Sequence, residues 1–92
     1  MSQFRITRQH NLPETELRNR VEQLAEKLQN KHGGHYQWEG NRVHYAYKGG
    51  LDAVVGFDEQ ELQVEVKLGL MMSAFKGLIE REVSSYLDEN LA

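Results

Sequence analysis

The sequence predicts an α+β fold, in which one antiparallel five-stranded sheet carries two helices on the same face. Two stretches, one early and one at the end, repeat apolar residues every three or four positions, the period of a helix with one buried side. Elsewhere apolar and polar residues alternate, which is typical of strands with one buried face. A single sheet covered on one side by both helices buries all of these faces. The expected order is β-α-β-β-β-β-α, and residues 1–92 are expected to form one domain.

The chain begins with a short strand and a long helix. Phe4 and Ile6 alternate with polar residues, which indicates a half-buried strand. The helix that follows has an apolar stripe, widened by an alanine, made of Leu17, Val21, Leu24, Ala25 and Leu28. Asn11 is the expected N-cap, and Pro13 suits the first turn. Residues 33–34 are two glycines, which are expected to end the helix in the left-handed conformation.

A hairpin is predicted next. Strands at residues 35–39 and 42–48 flank a Gly-Asn pair at 40–41, a two-residue loop suited to a turn with positive φ. The expected inner-face neighbours are Tyr36 with Tyr45, and Trp38 with Val43.

Two more strands and a final helix complete the order. The residues expected to point inward from the strands are Leu51, Ala53, Val55 and Phe57, then Leu62, Val64, Val66, Leu68 and Leu70. Ser73 is the expected N-cap of the final helix. The stripe that this helix is expected to lay on the core consists of Phe75, Leu78, Ile79, Val83, Tyr86, Leu87 and Leu91. On this interpretation the helix could reach another apolar surface only by leaving the core. The last strand is expected to pair with the first, while the first helix crosses to the opposite edge.

Composition narrows the classes of function. The 11 basic and 14 acidic residues give a formal charge of −3, without the basic patch that nucleic-acid binding requires. The chain has no cysteine, which excludes disulfides and thiolate metal sites and fits a reducing cytoplasm. No apolar run reaches the length of a membrane span, and the N-terminus lacks the apolar core of a secretion peptide. A soluble cytoplasmic protein is therefore expected.

Catalytic, metal and cofactor sites are not predicted. The four histidines are His10, His32, His35 and His44, and they are interpreted as surface or rim residues without three convergent ligands. The carboxylates decorate the free faces of the helices, and no pair has the contrasting settings that acid–base catalysis needs. The sequence also lacks a nucleophile elbow, a P-loop and a dinucleotide fingerprint.

The remaining candidate site is an apolar contact face, made of Tyr36, Trp38, Tyr45, Tyr47, Phe57, Met71, Met72 and Phe75. The element order resembles a reduced helix-grip arrangement, as in the START and Bet v 1-like ligand-binding proteins. In such a fold these aromatic residues would line a cavity between sheet and helices. The alternative is a filled core, which so short a chain favours because it has little buried area to spare. One of the two methionines is expected to be exposed beside Leu70 and Phe75, either as an adaptable apolar contact or in ordinary loop packing.

The segments RVEQLAEKL, GGHYQWEGNRVHY and VEVKLGLMMSAFKGLIEREVSSYL resemble the polyhydroxyalkanoic acid system family, over nearly the whole chain. These are small bacterial proteins associated with polyhydroxyalkanoate synthesis genes. The resemblance implies a cytoplasmic setting and association with the storage granule or its proteins. It carries over no catalytic residue and implies no cofactor.

Three hypotheses follow. The first is a non-enzymatic accessory protein of the polyhydroxyalkanoate system that acts through protein or granule-surface contacts. The second is a binder of a small apolar ligand, such as a fatty acyl group, between sheet and helices. The third, ranked last, is an enzyme that acts on hydroxyacyl compounds. A homodimer is also possible, since an edge strand such as residues 35–39 could pair across two copies.

Overall fold

The computed structural model of the chain describes residues 2–91. Its elements are β1 (Ser2–Gln9), α1 (Glu14–His32), β2 (His35–Glu39), β3 (Arg42–Tyr47), β4 (Leu51–Phe57), β5 (Glu61–Leu68), a 3-10 helix (Leu70–Phe75) and α2 (Lys76–Asn90). The predicted α+β class and order of helices and strands are confirmed.

The strands form one antiparallel sheet in the order β1-β5-β4-β3-β2. The first and last strands pair along their whole length, from Ser2 opposite Leu68 to Gln9 opposite Glu61. Since β2 lies at the other edge, α1 crosses the sheet between its two edge strands, as predicted. The hairpin register is also confirmed: Tyr36 faces Tyr45 and Trp38 faces Val43. Of its two turn residues only Gly40 has a positive φ, of 61°.

The core lies between the sheet and the two helices. All five members of the predicted α1 stripe are buried, and α1 packs on β2 and β3. The buried part of α2 consists of Ile79, Val83, Tyr86 and Leu87, and this helix packs on β1. The Tyr86 hydroxyl donates a hydrogen bond of 2.7 Å to the carbonyl of Arg20, which joins the two helices. Arg8 of β1 donates to Ser84 at 2.7 Å and to Asp88 at 3.1 Å, which joins α2 to the sheet edge.

Both predicted N-caps are wrong. The residue before α1 is Pro13, and no side chain caps the helix, so Asn11 does not take that role. The residue before α2 is Phe75, and Ser73 instead donates to the carbonyl of Gly69 at 3.0 Å. The reason is that the chain forms a 3-10 helix before α2, which places Ser73 inside a helical turn instead of in front of one.

The predicted burial of three apolar residues at this junction is also wrong. β5 ends at Leu68, so Leu70 does not continue its inward alternation and is 84% exposed. Phe75 and Leu78, predicted to lie on the core stripe of α2, are 48% and 47% exposed. α2 instead buries Ile79, Val83, Tyr86 and Leu87, so it stays packed on the core while Phe75 and Leu78 face solvent.

One predicted rim histidine is buried. His10 is 6% exposed and sits between two loops. Its Nδ1 accepts from the N–H of Leu12 at 3.2 Å, so Nε2 carries the proton and donates to the carbonyl of Asp58 at 2.8 Å. His10 therefore satisfies two backbone groups that would otherwise lack partners.

Candidate functional site

The predicted contact residues do not form one face. Tyr45 and Phe57 are buried in the core, while Tyr36, Trp38, Tyr47 and Met72 are half-buried around its margin. Met71 and Phe75 are exposed on the 3-10 helix. The structure thus separates a packed aromatic group from an exposed apolar one.

Tyr45 connects β3 to the end of α1 inside the core. It is 1% exposed, and its hydroxyl reaches the carbonyls of Leu28 and Gly33 at the end of α1. Burial raises the pKa of Tyr45, because the charged form would lose its hydration. The residue therefore holds the C-terminus of α1 to β3 and has no free polar group to offer a ligand.

Tyr36 and Trp38 of β2 are tied to Glu22 of α1. The Tyr36 hydroxyl and Trp38 Nε1 both donate to the Glu22 carboxylate, the latter at 2.8 Å. The guanidinium of Arg18 lies 4.2 Å from the centre of the Trp38 ring, and Phe57 meets that ring edge-on at 6.3 Å. The hydrogen bond to Glu22, followed by burial and the charges of Glu22 and Glu26, raises the pKa of Tyr36 to about 12. These contacts join α1 to the edge strand.

The interior has no room for an acyl ligand. The space enclosed by α1, α2 and the inner faces of β3, β4 and β5 is about 10 Å³. Ligand cavities are usually roughly 300–1,000 Å³, and even one water needs about 10–15 Å³. Within the described part of the chain, the inner aromatic residues belong to a filled core, the alternative that chain length favoured.

A hollow of about 400 Å³ opens at the surface beside His10. Carboxylates also line it, including Asp58 and Glu59, but both ring nitrogens of His10 are already hydrogen-bonded to the backbone. The Asp58 carboxylate accepts from the N–H groups of Gln60 and Glu61, which lowers its pKa. The polar groups of this hollow thus hold its loops in place.

Ligands for a metal ion do not converge. In residues 2–91 no group of three or more His, Cys, Asp or Glu side chains could hold a metal. One histidine–carboxylate pair lies at the end of α1, where His32 Nε2 is 3.7 Å from the Glu82 carboxylate. Lys31 Nζ lies 2.8 Å from the same carboxylate, so a lysine already balances the negative charge of Glu82.

The most distinctive surface feature is an apolar patch of four side chains: Leu70, Met71, Phe75 and Leu78. Leu70 and Met71 are each 84% exposed, and in residues 2–91 these four are the only exposed large apolar side chains. Leu70, Met71 and Phe75 lie on the 3-10 helix, and Leu78 lies in the first turn of α2. Phe75 and Leu78 are three residues apart, a spacing at which helical residues share one side. The 3-10 helix contributes no buried residue.

The sequence interpretation identified Met71 and Phe75 in this patch but assigned Leu70 and Leu78 to the core. A pattern that could have found them is the density of apolar residues from 70 to 79, which is more than one helical side can bury. No helix of residues 2–91 is both long and apolar enough to cross a bilayer.

Comparison with known proteins bears on the setting of this patch. A family model described as "Putative polyhydroxyalkanoic acid system protein" matches residues 4–91, so it includes both the core and the patch. No curated protein and no solved structure matches the chain. The helix-grip comparison consequently concerns the order of elements alone. By the extent of the family match, the chain belongs to the polyhydroxyalkanoic acid system protein family.

Proposed function

We propose that this protein is a non-enzymatic accessory protein of the polyhydroxyalkanoate system, which works in the cytoplasm by contacting the storage granule or a protein bound to it. The observation that carries the proposal is the apolar patch at the start of α2. Family membership supplies the polyhydroxyalkanoate setting.

The patch is suited to a contact because folding does not use it. Its four side chains lie outside the core, and burying a side chain of this kind is worth about 1.5–3 kcal/mol. A cluster of such residues that stays exposed in a small protein usually marks an interaction surface. Met71 is also suited to an irregular apolar surface, since the unbranched side chain of methionine can adopt several rotamers.

Co-sedimentation with polyhydroxyalkanoate granules isolated from the host tests this proposal. The wild type is compared with the double variant Leu70→Gln/Met71→Gln, which replaces the two most exposed patch residues. The matched control is Thr7→Gln/Ala46→Gln, two exposed positions on the opposite face of the sheet. We expect the wild type and the control to sediment with the granules, and the patch variant to remain in the supernatant. Equal sedimentation of all three, or of none, would refute the proposal.

A homodimer through β2 remains a prediction. β2 occupies an edge of the sheet, so one side of its backbone is free to pair with another strand. Sedimentation velocity at several protein concentrations would detect the dimer. Leu70→Gln/Met71→Gln, which leaves β2 unchanged, distinguishes strand pairing from association through the patch: a dimer through β2 should persist in this variant.

A further inference from the structure

Basic residues flank the apolar patch along the chain. Lys67 lies three residues before Leu70, Lys76 lies within the patch segment, and Arg81 lies three residues after Leu78. Lys48 lies in the turn between β3 and β4. That turn is close to the start of the patch segment, because the N–H of Gly69 donates to the carbonyl of Gly50 at 2.7 Å. We call Lys48, Lys67, Lys76 and Arg81 the basic fringe.

Few carboxylates lie near the basic fringe to neutralise its charge. Asp52 lies across from Lys67 in the sheet and 4.0 Å from His44, and Glu80 follows the patch on α2. Glu82 is occupied by Lys31. The patch end of the molecule therefore keeps an excess of positive charge although the whole chain is acidic.

Half of the 14 carboxylates lie in segments at the other end. The antiparallel register places the β1 end, the β4–β5 turn and the start of α1 away from Leu68, and the C-terminus of α2 lies there too. The carboxylates in these segments are Glu14, Glu16, Asp58, Glu59, Glu61, Asp88 and Glu89. The molecule thus has an apolar, basic end and an acidic end.

This charge distribution disfavours a second copy as the occupant of the patch. A two-fold symmetric contact would bring Lys76 and the rest of the basic fringe of both copies together, and like charges brought together destabilise such an interface. The charge is complementary to an anionic partner.

We propose that the apolar patch inserts into an anionic lipid surface, with the basic fringe on the headgroups and the acidic end directed away. The inference rests on the proposed function and deepens it, since it names the chemistry of the surface that the protein contacts. Apolar side chains that enter the acyl boundary and cations that contact anionic headgroups together produce reversible surface binding.

The shape of the patch favours a lipid surface over an acidic protein. Leu70 and Met71 are each 84% exposed and project from a short 3-10 helix that has no buried residue. Projecting side chains enter a deformable lipid surface directly, whereas a protein partner would need a pocket built for each of them. No spanning segment is required for this mode of binding.

The test is flotation of the purified protein with lipid vesicles. Vesicles of phosphatidylcholine alone are compared with vesicles in which half of the lipid is anionic phosphatidylglycerol. We expect binding to the anionic vesicles, lowered on the order of tenfold by Leu70→Gln/Met71→Gln. Lys48→Gln/Lys67→Gln should lower it by a similar factor, roughly threefold to fivefold for each lysine. The charge-matched control Lys27→Gln/Arg42→Gln, which leaves the basic fringe intact, should bind like the wild type.

Added salt separates the two contributions. Binding to anionic vesicles should fall as salt screens the headgroups, and the lysine variant should be less sensitive to salt than the wild type. Absence of binding to anionic vesicles, or equal binding to neutral ones, would overturn the inference. If the protein sediments with granules but captures only an acidic granule protein, the lipid inference fails and the proposed function stands. If it binds anionic vesicles but not granules, the proposed function fails instead.

Discussion

A single carboxylate, Glu22, holds the polar ends of two aromatic side chains at the edge of the sheet. It accepts from the Tyr36 hydroxyl and from Trp38 Nε1, while Arg18 covers the Trp38 ring. Half-buried Tyr and Trp residues need such partners, because their hydrogen-bonding groups lose water on folding. These residues therefore bind α1 to β2.

Removal of the Glu22 charge should lower the pKa of Tyr36. The hydrogen bond to Glu22 is the largest cause of the rise to about 12, and the charge of Glu26 is the smallest. Glu22→Gln should therefore move the pKa of Tyr36 well toward the ordinary value of 10, and Glu26→Gln only slightly. An NMR titration of ring-labelled tyrosine, assigned with Tyr36→Phe, measures both. Equal shifts in the two variants would contradict the assignment.

The same interaction makes folding sensitive to alkaline pH. Tyr36 ionises near pH 10 in the unfolded chain and near pH 12 in the folded protein, so the folded state holds the proton more tightly. This contribution to stability is complete below pH 10 and is lost as the pH rises toward 12. Burial raises the pKa of Tyr45 and Tyr86 in the same direction.

At the scale of elements, the connection from α1 to β2 depends on a close backbone approach. Gly34 has φ of +92°, and a Cβ there would lie 2.5 Å from the carbonyl oxygen of Ala46. The neighbouring atom is main chain in a paired strand, so it cannot move away cheaply. This contact fixes how α1 returns to the edge of the sheet.

Gly34→Ala should therefore lower the free energy of unfolding by about 2 kcal/mol or more, from positive φ and steric overlap. The matched control is Gly77→Ala in α2, where a Cβ meets nothing within 4 Å. Alanine suits a helix better, so the control should raise stability by up to about 1 kcal/mol. Urea unfolding monitored by Trp38 fluorescence gives both values, and a neutral Gly34→Ala would contradict the close approach.

For the molecule as a whole, the apolar residues divide between a core that folds the chain and a patch that does not. Leu68 is 1% exposed and belongs to the core, whereas Leu70, two residues later, is 84% exposed. The change occurs where β5 ends and the 3-10 helix begins. Stability and surface binding are therefore expected to be separable by mutation.

Leu70→Gln/Met71→Gln should change the free energy of unfolding by no more than about 0.5 kcal/mol, because both side chains already face water. Leu68→Ala should lower it by about 2–5 kcal/mol, since it opens a cavity in the core. Denaturant titration of both variants compares them. A loss in the double variant as large as that from Leu68→Ala would show that the segment packs against the core in solution.

The strand pattern was predictable because alternation leaves few choices. A shift of one residue would turn an entire apolar face to solvent, so the inner residues of β3, β4 and β5 followed from the sequence as far as Leu68. The α1 stripe followed for a similar reason, since one helical side carried nearly all of its apolar residues. The Gly-Asn loop then set the hairpin register.

The junction before α2 was not predictable in the same way. Leu70, Met71, Phe75 and Leu78 are apolar, and hydrophobicity alone gives no reason to leave them outside. Their exposure depends on how much space the sheet and α1 leave for the side chains of α2. The side chains that fill this space are those of Ile79, Val83, Tyr86 and Leu87. Likewise, His10 became buried because two loops from distant parts of the chain close over it.

Local periodicity thus determined the α+β class, the order of the elements and the inner face of the sheet, because each element must bury its own apolar side. Only the tertiary structure decided which apolar residues the core could hold and which stayed at the surface. The physical reason is that elements distant in sequence share the volume of the close-packed core. The pattern of one segment therefore cannot show how many of its apolar residues will fit there.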